Sequence, residues 1–158
     1  MAKIKGYELK AIKTFTGMEG LGFEANLYSK NKKIGRVLDD ASGGPLQTFI
    51  EDKEKERQFE EDTKNWGEEL GKDSFMIDEI FIDELFTLKE KERIFKQAQK
   101  EGHKGIVVLT DRYKEDLFSP RRLDEFYNIP EQCTDGDVEQ GEYDKKEYYV
   151  KLDDFNIA

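Results

Sequence analysis

Thirty-six Asp and Glu residues stand against one histidine, His103, and one cysteine, Cys133, so any chemistry in this chain rests on carboxylates. A thiolate zinc site or a two-histidine iron site needs ligands that the chain does not have. Cys133 lies in an acidic stretch that disfavours its thiolate. His103 follows a helix-ending glycine, where interaction with the last carbonyls of that helix accounts for it better than catalysis does. The turn Asp39-Asp40-Ala41-Ser42-Gly43-Gly44 sets adjacent carboxylates beside glycines, an arrangement that holds Mg²⁺ in carboxylate-dependent nucleases and phosphoesterases. Ordinary turn chemistry, with Asp and Ser accepting from nearby backbone and Gly supplying positive φ, explains the same residues and is preferred. The pairs Asp78-Glu79 and Asp83-Glu84 lack the histidines of a di-iron site and read as a solvated acidic helix face. No cofactor or metal is expected, and the balance favours a non-enzymatic protein.

Charge is unevenly spread. Residues 1–50 hold eight Lys/Arg and five Asp/Glu, a net of +3, which leaves −13 for the other 108 residues of a chain whose total is −10. Lys30, Lys32 and Lys33 form a candidate basic face that could sequester a nucleotide signal. Asp78, Glu79, Asp83 and Glu84, with Asp135, Asp137 and Glu139, form a candidate acidic surface for a basic partner. With a pI near 4.8 direct binding of nucleic acid is disfavoured. An acidic surface can instead occupy a groove that ordinarily holds nucleic acid, since closely spaced carboxylates resemble phosphates in field and acceptors.

These residues have to be placed by secondary structure. Tyr7, Leu9, Ala11 and Phe15, then Phe23, Ala25 and Leu27, alternate with polar residues as half-buried strands do. With 34–38 and 46–50 they predict an antiparallel N-terminal meander. Phe59, Trp66 and Leu70 recur at helical spacing and Gly71 should end that helix. Residues 75–86 are read as a further helix, Thr87-Leu88-Lys89-Glu90 as a capping box that restarts helix, and Gly102 as its end. Residues 106–109 and 148–152 predict strands that join the first sheet. Ser119-Pro120 reads as the start of a short helix, and 131–144, with six acids and no base, as an acidic loop. The expectation is a single α+β domain over 1–158: a strand-rich part (4–50), a helical part (51–101) packed on the sheet, and a mixed part (102–158). No run approaches the roughly 20 apolar residues of a membrane span, and the bacterial cytoplasm is the expected site.

Ile4-Lys5-Gly6-Tyr7-Glu8-Leu9-Lys10, Lys13-Thr14-Phe15-Thr16-Gly17-Met18-Glu19-Gly20, Phe23-Glu24-Ala25-Asn26-Leu27-Tyr28 and the 39–44 turn resemble small proteins of Gram-positive phages and mobile elements. The resemblance continues through Phe81-Ile82-Asp83-Glu84-Leu85 and Gly105-Ile106-Val107-Val108. It implies a mobile-element setting and an inhibitor of host defence, in the manner of anti-CRISPR proteins, whose partner is a host defence protein or ribonucleoprotein effector. It assigns no functional residue.

Overall fold

The computed structural model describes residues 2–71, 76–111, 114–122 and 145–158. They form an α+β protein in two compact units, 1–89 with 156–158 and 90–155.

In the first unit, β1 (Lys3–Ile4), β2 (Tyr7–Gly17), β3 (Gly20–Ser29), β4 (Lys32–Asp39) and β5 (Gln47–Ile50) form an antiparallel meander. Two of its hairpins are tight. Lys5-Gly6 and Lys30-Asn31 carry φ values of 53° and 82°, and 50° and 66°, which match the twist of the strands they join. A C-terminal strand, β9 (Asn156–Ile157), adds in parallel beside β1 and completes the order β5-β4-β3-β2-β1-β9.

α1 (Lys53–Glu69) begins at Asp52, whose carboxylate accepts from the amides of Glu54 (3.0 Å) and Lys55 (3.3 Å). It ends as Gly71, at φ 69°, donates to the Glu68 carbonyl. Its narrow apolar stripe, Phe59 and Trp66, packs on the sheet with Phe81 of α2 (Ile77–Lys100). Tyr7 meets the edges of Phe59 and Phe81 at 5.4 and 5.6 Å, Trp66 meets Phe81 at 5.1 Å, and Phe23 stacks on Phe86 at 4.2 Å. Thr87 lies inside an unbroken helix rather than at a restart, because Ile82, Leu85 and Leu88 keep one face buried through that point.

In the second unit, β6 (Ile106–Asp111) is central between β7 (Lys114–Arg122) and β8 (Lys145–Tyr149), both antiparallel to it. These strands were expected to extend the N-terminal sheet and instead make their own. The position beside β1 is filled by Asn156–Ile157, and β6 finds a partner on each side within its unit. Ser119-Pro120 belongs to β7, not to a helix start. β7 is an edge strand, the position in a sheet where proline is accommodated. The 90–100 part of α2 closes with Gly102 at φ 93°, the amides of Gly102 and His103 donating to the carbonyls of Gln99 and Ala98. Phe155 of the short 3-10 turn Leu152–Phe155 packs on Phe95 and stacks on Tyr149 at 5.2 and 4.5 Å.

Candidate acidic site

At the end of β4 the chain turns through residues 39–44. Asp39 Oδ1 accepts from the Ala41 amide at 3.0 Å, and Asp40 Oδ1 from the Ser42 amide and hydroxyl at 3.1 and 2.6 Å. The Ser42 hydroxyl, then its amide, holds the Asp40 carboxyl below its ordinary pKa. Ala41 takes φ 56°, and its carbonyl accepts from the Glu19 amide at 2.7 Å, which ties the turn to the tip of the β2–β3 hairpin. Gly17 permits this approach, since a Cβ there would lie 2.6 Å from that of Ala41. The acids proposed from sequence as cation ligands thus organise the turn that holds the hairpin. Among the described residues, no group of three or more His, Cys, Asp or Glu is arranged to hold a metal ion.

The carboxylates of α2 are more distinctive. Asp78 and Glu79 occupy its first turn, where the partial positive charge of the helix terminus favours acids. Glu79 Oε1 accepts from the Leu46 amide at 2.5 Å, fixing the segment before β5. One turn on, partial desolvation and then the charges of Asp39, Glu79 and Glu84 push the Asp83 carboxyl above its ordinary pKa. Among the described residues, Asp39, Glu79 and Asp83 make no ion pair. The fold therefore joins three of the four α2 acids picked out in the sequence with Asp39, a residue more than 35 positions away that sequence spacing could not connect to them.

The other candidates are not gathered here. Asp135, Asp137 and Glu139, with Cys133 and the 131–144 stretch, lie outside the described residues. Lys30 sits in the β3–β4 turn, and Lys32 and Lys33, as neighbours along β4, point to opposite faces, so the three exposed lysines do not make one face. The His103 amide caps α2, and its imidazole Nε2 lies 3.9 Å from Glu101. Alternation along β2 gave no warning of Glu8, which is 2% exposed and makes no hydrogen bond through either oxygen. The ammonium groups of Lys89 and Lys10 face it at 3.8 and 3.9 Å, so the buried carboxyl group is flanked by cations from a helix and from its own strand.

No protein-family model, curated protein or solved structure matches this chain.

Proposed function

We propose that this chain is a non-enzymatic interaction protein of a phage or mobile element that inhibits a host nucleic-acid-targeting defence by binding its protein machinery. The observation that carries the reading is the crowding of Asp83 by Asp39, Glu79 and Glu84. A carboxylate such as Asp83, whose ionisation partial desolvation and then neighbouring acids oppose, is relieved by a cationic partner, and a groove of Lys and Arg that ordinarily receives phosphates supplies one. The resemblance to phage and mobile-element proteins gives the setting, and a defence protein or ribonucleoprotein effector is the partner that fits it.

The test uses bacteria in which a defence system destroys an incoming plasmid. Expression of the wild-type chain should raise transformation. The exposed double variant Asp83→Lys/Glu84→Lys, matched to wild type in melting temperature, should lose that protection. Affinity capture of the defence effector should weaken in parallel and should survive nuclease treatment. Undiminished protection by the reversed variant would sink the acidic-surface reading, and capture abolished by nuclease would move the contact from protein to nucleic acid.

A further inference from the structure

Two β-bulges decide what the face of the first sheet turned away from Phe59 and Phe81 displays. Strict alternation along β2 would send Lys10 and Lys13 to opposite faces, since they are three residues apart. They sit opposite Asn26 and Glu24, which are two apart on β3 and so share a face. The extra residue is absorbed at Ala11, whose φ is 54°. The same happens on β4. Lys33 pairs with Tyr28 and Arg36 with Asn26, again two apart on β3, because the register slips between them. Four cations that the sequence scatters over two faces are thereby collected on one.

Aromatic rings lie among them. The ammonium of Lys10 stands 4.6 Å from the centre of the Tyr28 ring. Phe49 is the cross-strand partner of Arg36 and is 51% exposed. Phe15, 38% exposed, covers Gly22, where a Cβ would come within 2.6 Å of its ring. The opposing acids are fewer than the cations. Glu8, the cross-strand partner of Tyr28, is buried at one end of this face and draws Lys10 to 3.9 Å. Glu24 is shared by Lys13 at 4.0 Å and Arg36 at 3.6 Å, distances at which exposed pairs hold each other weakly, and Lys33 has no ion pair among the described residues.

We infer that this face, with Lys10, Lys13, Lys33 and Arg36 around Tyr28, Phe49 and Phe15, binds single-stranded nucleic acid. The charge identifies a polyanion, and the rings identify one with flat apolar faces to stack. Four strands at about 4.8 Å spacing give a platform roughly 14 Å across, room for the two or three bases that sheet-borne aromatics take up elsewhere. The acidic composition argues against a polyanion for the molecule as a whole, but register gathers four of the eight Lys/Arg of residues 1–50 on this one face. The inference is independent of the acidic surface on α2. If both hold, a ribonucleoprotein would be met through its protein and through its strand.

Fluorescence anisotropy with fluorescein-labelled 12-mers of uridylate and of thymidylate tests it on the full chain. Saturable binding is expected for at least one, and the comparison tells RNA from DNA. Release of counterions from three or four phosphates should weaken it about 20- to 50-fold between 50 and 200 mM salt. Lys13→Glu/Arg36→Glu and, separately, Phe49→Ala should each weaken it about tenfold or more, while Lys64→Glu on α1 leaves it unchanged. All these side chains are exposed, and unchanged melting temperatures check that the variants fold. The inference is overturned if neither oligomer binds at 50 mM salt. It is equally overturned if heparin binds as well as the oligomers and Phe49→Ala changes nothing, since the patch would then be a charge surface with no base stacking.

Discussion

The carboxyls of two aspartates in one unit are shifted in opposite directions from the ordinary aspartate pKa, and their surroundings say why. Asp40 accepts from the Ser42 hydroxyl and amide, which favours its charged form, whereas Asp83 is partly desolvated among like charges, which disfavours it. Carbon-detected NMR across the acid range should find Asp40 below and Asp83 above the ordinary aspartate value, with Ser42→Ala returning Asp40 toward it. Because the folded pKa of Asp83 is raised, the folded state binds its proton more readily than the unfolded state does, and stability falls as pH rises through that window. Asp83→Asn should therefore stabilise the protein at neutral pH, with the gain vanishing below the carboxylate range; a variant that is no more stable at pH 7 would show that the crowding is relieved in solution. Tyr7 presents the complementary case. Burial, then its 2.6 Å hydrogen bond to the Asp62 carboxylate, push its hydroxyl up. Tyr7→Phe should cost about 1.5–3 kcal/mol in denaturant melts, the range for bonds to charged acceptors.

At the scale of elements, the aromatic contact between α1, α2 and the sheet carries the first unit. Trp66, 5% exposed and edge-on to Phe81, should cost about 3–5 kcal/mol when truncated to Ala. Thr87 supplies the contrast. Inside α2 and exposed, it caps nothing, so Thr87→Ala should be neutral or stabilise by a few tenths of a kcal/mol, as the better helix former replaces a β-branched residue. A loss near 1 kcal/mol in the same melts would instead mean that α2 breaks there and the threonine caps a second helix. The bulges of β2 and β4 act at this scale too, because each moves one residue between faces and so decides which lysines share a surface.

For the whole molecule the governing quantity is a net charge of −10. Self-repulsion at that charge opposes the compact state, and salt screens it over about 10 Å at 0.1 M. The melting temperature at pH 7 should accordingly rise as sodium chloride goes from 10 to 300 mM, and rise again on mild acidification toward the pI near 4.8. A flat or falling response to salt would mean that ion pairs such as Lys5–Glu69 at 2.9 Å outweigh the repulsion.

Much of the secondary structure was written in the sequence. Period-2 alternation marked β2 and β3, the polar Lys30-Asn31 marked their neighbouring hairpin, and Gly71 and Gly102 marked helix ends, because each signal depends on backbone conformations fixed within a few residues. The α+β class followed from the same local signals. What depended on distant partners was not legible. β6, β7 and β8 form their own sheet while 156–157 fills the place beside β1, and Ser119-Pro120 lies in an edge strand. The α2 acids were visible as pairs, but their junction with Asp39 was not. The two bulges that gather Lys10, Lys13, Lys33 and Arg36 broke the very alternation by which the sequence was read. Local propensity fixes which residues become strand or helix. Which strands pair, in what register and with which face outward is decided by contacts across the fold, and both candidate surfaces of this protein are products of that second step.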